Sequence, residues 1–418
     1  MVAEMASQGF PARDSLLSIR AGDIAVVVYL LSTIVATDGS LLAQSSRILL
    51  VFIAGLEFIV RPRVPFQLVI WQFAFVGYVV ASVFWAFSEE HAATMAQTVA
   101  VNGLCVVALA SLLFRDPARL RLAVVCIMFA PTLLMLRVAI ADGLSIFFTV
   151  RGTDVANANF VGQSAAYAFG LAYLCWSQWT LVPRSLAALL LISNVSVVLL
   201  SGSRKALLMV VLVILLFTVL HNAKTGMPRS MRIGGLGLVC FAAYLALINI
   251  PMLYSFVGQR LETMVNGVLG RSGEVDASTE TRVGLIERGL DWFQAAPWFG
   301  HGGENFRALM EAYFPTQTAY HAHNNFIEVL VSYGIGGFIL FYWIYVAIVV
   351  SGLKHINSLQ PLQVMLLSLV LTQLVIEYGQ TTYYSRFYVA FIAVSWVALC
   401  SWTLQDEDAL TEARRVRR

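Results

Sequence analysis

Apolar runs long enough to cross a bilayer follow one another through most of this chain, and they restrict it to one kind of fold. A spanning helix needs about 20 predominantly apolar residues. Reading for such runs gives about twelve: 23–40, 41–60, 66–87, 92–114, 120–141, 157–180, 185–202, 205–221, 233–254, 324–351, 361–379 and 383–404. The second is interrupted at its start by Gln44, Ser45, Ser46 and Arg47. With 59% hydrophobic and 12% charged residues and a mean hydropathy of +0.77, too little polar surface remains to coat a soluble core. The expected fold is an all-α polytopic membrane protein. Cys105, Cys126, Cys175, Cys240 and Cys400 all fall inside apolar runs, where a thiol behaves as a small hydrophobe and not as part of a disulfide framework. The first twenty residues are mixed and polar with no small-residue cleavage site, so the first helix is expected to act as its own insertion signal.

Short loops rich in Lys and Arg mark the cytoplasmic side. Arg13, Arg20, Arg61, Arg63, Arg115, Arg119, Arg121, Arg184, Lys224, Arg229, Arg232, Lys354 and the tail residues Arg414, Arg415, Arg417 and Arg418 all fall on one side of a twelve-span arrangement. Both termini are then cytoplasmic. Residues 1–254 hold spans 1–9, residues 255–323 form one long outward loop, residues 324–404 hold spans 10–12, and residues 405–418 make a basic cytoplasmic tail.

The outward loop has helical patterning. Val283, Ile286, Leu290 and Phe293 recur at helical spacing within Thr281 to Pro297 and read as the apolar face of an amphipathic helix stopped by the proline. At about 100° per residue, Arg282 borders that face and Arg288 points away from it. A second helix is expected over Glu304 to Phe314, with Phe306, Leu309, Met310 and Tyr313 on its apolar side. Gly300-His301-Gly302-Gly303 between them suits a tight turn with close backbone approach.

The loop runs into His321-Ala322-His323-Asn324-Asn325-Phe326-Ile327-Glu328 at the mouth of the tenth span. A titratable group there meets water-borne reactants on one side and lipid-borne ones on the other. On the same outer side, Ser201-Gly202-Ser203-Arg204-Lys205 puts two adjacent cations in a short turn, and charges at membrane depth usually face a partner or a cavity. Arg137, near the outer end of the fifth span, stands between Leu136 and Val138. With Arg204, Arg282 and Arg151 it is a candidate for a cationic pocket, since a guanidinium's planar fork of donors suits phosphate. Plainer readings exist for each: His301, His321 and Arg151 as wet interfacial groups, Arg137 and Arg204 as snorkelling anchors, and Tyr313, Phe314, Tyr320, Tyr383 and Tyr384 as interfacial aromatics.

The His323-Asn324-Asn325-Phe326-Ile327-Glu328 run with Gly334 and Gly337, the Gly300 to Phe306 stretch, Ser278-Thr279-Glu280-Thr281-Arg282 and Ser201-Gly202-Ser203-Arg204 together resemble the O-antigen ligase and polymerase family of bacterial envelope glycan enzymes. The likeness covers about residues 190 to 345. It implies a GT-C-like membrane glycosyltransferase of the inner membrane, acting at the periplasmic face on undecaprenyl-diphosphate-linked glycan. It also implies that Arg204, Arg282 and His323 hold the catalytic positions. Arg137, Lys205, Asn324 and Arg288 complete the set as substrate-binding candidates, and Arg137 has no motif behind it.

The residue chemistry agrees with that implication. When an acceptor hydroxyl attacks an anomeric carbon and a diphosphate leaves, the site needs a base and cations. His323 supplies the first. The positive end of the helix beginning near Asn325 is expected to keep its ring neutral. No outward carboxylates show metal-ligand order, Glu274, Asp276 and Glu280 reading as solvated, so neither metal nor cofactor is expected. The expected partners are the lipid-linked glycan, an acceptor glycan or lipid A core, membrane lipid and a chain-length regulator, with no nucleic acid. The turn at Ser201 and the Asn-Asn-Phe-Ile-Glu run lean toward a polymerase; a ligase is the alternative. A lipid-linked glycan transporter would instead cluster its polar residues at the bilayer midplane, often with an internal repeat.

Overall fold

The computed structural model describes residues 20–62, 64–114, 116–142, 157–177, 181–221, 230–235, 237, 238, 245, 249 and 277–401. Arg13, Arg63, Arg115, Arg151, Lys224, Arg229, Cys240, Glu274, Asp276, the basic tail and most of the ninth expected span lie outside them.

The described chain folds into helices α1 (Ala21–Val35), α2 (Leu41–Val60), α3 (Phe66–Ala81), α4 (Glu89–Leu113), α5 (Pro117–Asp142), α6 (Ala158–Ser177), α7 (Arg184–Leu200) and α8 (Arg204–Leu220). They are followed by α9 (Ala277–Ala295), α10 (Asn305–Tyr313), α11 (Asn325–Lys354), α12 (Pro361–Ile376) and α13 (Arg386–Trp396). Every expected span but the ninth contains one of these helices. By length and apolar composition, six helices among the described residues can cross a membrane: α2, α3, α4, α5, α11 and α12. The chain is thus a polytopic α-helical membrane protein. Side chains punctuate it where the sequence allows: Ser40, Ser203 and Asn324 accept backbone N–H groups as caps of α2, α8 and α11, and Pro361 opens α12, where its missing N–H costs nothing. The polar start of the second span is no obstacle. Ser46 is buried and shares a 2.7 Å hydrogen bond with Ser32 of α1.

Charged contacts define the two ends of the bundle. At one end Arg119, 4% exposed, joins α5 to α1 and α2 through Asp23 at 2.8 Å and Glu57 at 2.6 Å. The first residues of α8, α11 and α13 and the turn between α1 and α2 share the other end. Buried between the ends are α4, α12 and α13, which contribute Leu109, Leu113, Met365, Leu369, Phe391 and Trp396 to the core.

Helix α11 breaks inside the bundle at Gly334, whose φ of 62° and ψ of −167° no helix accommodates. A break at this depth frees backbone groups that lipid cannot satisfy. The segment after α9 satisfies them. Pro297 and Trp298 carbonyls accept the Ile335 and Gly336 amides, and the His301 and Gly302 amides donate to Val331 and Ser332 at 2.8 Å. A Cβ at Gly334 would run into the Trp298 backbone, so the close approach requires glycine there. The loop is thereby clipped to the membrane helix that follows it.

The clip also fixes which face of α9 turns inward, and that face matches the one read off its apolar spacing only in part, since Ile286 and Phe293 pack against the buried cluster around Phe306 and Ile327. Leu285 and Gly289 are buried against Ile327 and Phe306, while Val283 and Leu290 are 49% and 42% exposed. Glycine at 289 lets the helix come this close, a signal that counting apolar residues misses. Helix α10 buries Phe306, Leu309 and Met310 as expected, but Tyr313 is exposed and stacks on Phe87.

Candidate active site

Arg282 lies on the inward face of α9, one turn before Leu285, and so points toward the start of α11. Arg204 and Lys205 open α8 after the Ser201 to Ser203 turn, where Gly202 has a φ of 60°. Two cations at a helix N-terminus add to the positive end of its dipole. Lys205 is half-buried, donates its Nζ proton to the Gly379 carbonyl, and lies within electrostatic reach of both Arg204 and Arg282. His323, half-buried, lies within electrostatic reach of Lys205 and Arg282. The structure therefore brings four of the seven candidates, His323, Arg204, Lys205 and Arg282, into one neighbourhood.

His323 is held in a left-handed backbone conformation, φ 49°, which a non-glycine residue adopts only when its surroundings impose it. Those surroundings are identifiable. Glu328, wholly buried one turn into α11, accepts the Ala322 amide at 2.7 Å, and its other oxygen lies 3.6 Å from His321 Nδ1. Asn324 caps α11 through the Phe326 and Ile327 amides. Asn325 accepts the Thr382 and Tyr383 amides and donates to Glu377. Both neighbours of His323 are thus pinned, and its ring lies 5.8 Å from that of Tyr320.

Burial depresses the basicity of His323, and Lys205 and Arg282 push it down further, to about 4. The ring is neutral at physiological pH. Burial and two side-chain cations account for the neutral ring that the helix end was expected to give. His321 shifts the other way: burial opposes its charge, but the Glu328 carboxylate overrides that and raises it. It is a paired, positioning residue and not the wet interfacial group that its place in the sequence suggests. His301 Nε2 lies 2.9 Å from the Trp292 carbonyl and ties the end of α9 to the turn.

The remaining candidates are committed to other contacts. Arg288 lies over the Phe314 ring at 3.9 Å and donates to Gln317 at 2.9 Å, bracing the loop. The Asn324 side-chain oxygen is committed to its cap. Arg137 donates to the Val35 carbonyl at the end of α1. Tyr383, expected at the interface, is 2% exposed. Sequence reasoning passed over Glu328 and Glu377. Glu377 is wholly buried at the end of α12 and accepts from Tyr342, Tyr345, Gln373, Asn325 and Thr382. A lone glutamate in an apolar run was the available signal. Among the described residues no three His, Cys, Asp or Glu side chains come together as a metal site.

Glu328→Ala should leave the buried Ala322 N–H unsatisfied and destabilise the fold by roughly 2 to 3 kcal/mol, read as a lowered unfolding temperature in detergent. Because the pair raises His321, its stabilisation is complete below the ordinary histidine value near 6.5 and fades as pH rises through the raised one. The deficit of the variant should therefore be larger at pH 6 than at pH 9.

No curated protein matches the chain. A family model described as O-Antigen ligase matches residues 186–342, a stretch that contains Arg204, Lys205, Arg282, His323, Glu328 and Gly334. Over that stretch the chain is similar to the O-antigen ligase family.

Proposed function

We propose that this protein is an inverting, metal-independent glycosyltransferase of the bacterial inner membrane, with twelve spans and a GT-C-like architecture. It transfers glycan from an undecaprenyl-diphosphate-linked donor to an acceptor sugar hydroxyl at the periplasmic face. The convergence of His323 with Lys205, Arg204 and Arg282 at one end of the bundle, beneath α9, carries this reading. A neutral base beside two guanidiniums and a lysine amine matches a reaction that takes a proton from an alcohol and releases a diphosphate.

In the proposed step the acceptor oxygen forms its bond to the anomeric carbon from the face opposite the diphosphate, and the bond from that carbon to the diphosphate oxygen breaks. The hydroxyl proton passes to the His323 ring and then to water. Arg282 and Arg204 direct paired donors at the phosphoryl oxygens, Lys205 adds a point charge, and their fixed positions stabilise the charge that develops on the leaving group.

Donor binding has a further effect on the base. A bound diphosphate offsets the cations that hold His323 down, so the ring becomes more basic in the complex than in the free enzyme. Activity should fall as pH drops through the His323 pKa. The acid limb of kcat should lie at higher pH than that of kcat/KM, whose free-enzyme value is near 4. Identical acid limbs in both profiles would sink this coupling.

The polymerising reading joins lipid-linked repeat units; the ligase reading, favoured by the description of the matched model, passes finished polymer to lipid A core. Glycan analysis of a deletion strain separates them. Single repeat units on the core are expected for the polymerase, and core without any O-antigen for the ligase.

A further inference from the structure

A second group of guanidiniums gathers around Asp38 in the turn between α1 and α2. Arg386, at the first position of α13 and 6% exposed, contacts Asp38 at 2.6 Å and donates to the Ala36 carbonyl at 2.7 Å. Arg47 of α2 reaches the same Asp38 oxygen at 3.2 Å, and Arg137 of α5 donates to Val35, one peptide before Ala36. Asp38 itself is 82% exposed. Arg386 Nη1 and Arg47 Nε are buried with no hydrogen-bond partner among the described residues. The cluster adjoins the candidate active site: Tyr384, two residues before Arg386, places its hydroxyl 3.5 Å from His321 Nε2.

A purely structural role is too small for this assembly. Capping the carbonyl end of α1 calls for one cation near its last turn. Three from separate helices, against one exposed carboxylate, leave an excess of positive charge and two buried donors unspent. Buried charge at the end of a membrane bundle usually faces a partner or a cavity, and the fork geometry of guanidinium suits phosphate.

We propose that Arg386, Arg137 and Arg47 form a second anion subsite that takes the phosphate of a lipid-borne acceptor, while Arg204, Lys205 and Arg282 take the diphosphate of the donor. This rests on the glycosyl-transfer reading, in which two phosphorylated lipids must meet at one end of the bundle.

The test uses the full-length protein in phosphatidylcholine nanodiscs, titrated with undecaprenyl diphosphate and counted by native mass spectrometry. Wild type should bind two equivalents. Arg47→Gln with Arg137→Gln, which keeps the Arg386 to Asp38 pair, should weaken one of them by about tenfold or more; Arg204→Ala with Arg282→Ala should weaken the other. Asp38→Asn, at an exposed turn, should tighten the first, which keeps the proposal open to test if the double variant folds poorly. Excess phosphatidylglycerol should displace neither. A single equivalent that depends on Arg282 alone would overturn the second subsite and leave the function standing. Displacement by phosphatidylglycerol would make the cluster a general phospholipid contact and overturn it as well. No binding at either place would instead remove the glycosyl-transfer reading.

Discussion

Replacing His323 by alanine should lower turnover by about 10² or more, the low end for removal of a positioned base, while affinity for the lipid diphosphate stays within a fewfold of wild type. The split follows from the geometry. The cations that would hold the leaving group come from α8 and α9 and do not depend on the imidazole, and the caps at Ala322, Asn324 and Asn325 are backbone and neighbouring interactions that survive truncation of the ring. His323→Asn refines the test, because asparagine tolerates the left-handed φ of 49° yet cannot accept and carry the proton. It should be as slow as alanine. Turnover by purified enzyme on a defined lipid-linked donor, with donor affinity measured in parallel, checks both variants. Loss of donor binding along with catalysis would make His323 a phosphate ligand.

Arg282→Lys should cost on the order of 10² in kcat, the lower range for losing one preorganised donor to a developing anion, although charge is conserved. A lysine places one point charge where the guanidinium places a planar fork, and α9, anchored by Leu285, Gly289 and the Pro297 to Gly302 clip, cannot slide to compensate. Arg204→Lys should behave alike. Unfolding temperatures should remain near wild type, because both side chains stand at the rim and not in the core. Near-wild-type kcat in both variants would reduce these residues to surface charge.

Much of this arrangement is legible in the chain before any coordinates. Apolar runs locate α1 to α8 and α11 to α13 because a bilayer demands helices of nearly fixed length. The glycine cluster at residues 300–303 marks the close approach that the structure uses at Gly334. His323, Arg204, Lys205 and Arg282, distributed over more than a hundred positions, do share one neighbourhood. What stayed hidden depends on partners distant in sequence. Asn324 reads as a ligand until its oxygen is found capping α11, and Arg288 reads as solvated until Phe314 folds beneath it. Glu328, Glu377 and Arg386 look like isolated charges in apolar runs; their meaning lies in Ala322, Asn325 and Asp38, which no local pattern ties to them. Only half of the inward face of α9 is legible, Ile286 and Phe293 but not Val283 and Leu290, because a buried glycine, invisible to hydrophobic spacing, decides which side can approach α11.

The measurement that bears most directly on the account is the stereochemistry and stoichiometry of a single transfer. Purified protein in nanodiscs is given one lipid-linked oligosaccharide of known anomeric configuration and an acceptor glycan. The new glycosidic bond is then assigned by NMR while released undecaprenyl diphosphate is counted. One His323 base and a cationic site for the leaving group predict an inverted anomeric centre and one diphosphate released per bond formed. A retained configuration would require a covalent nucleophile in place of a single base, and would contradict the mechanism at its centre.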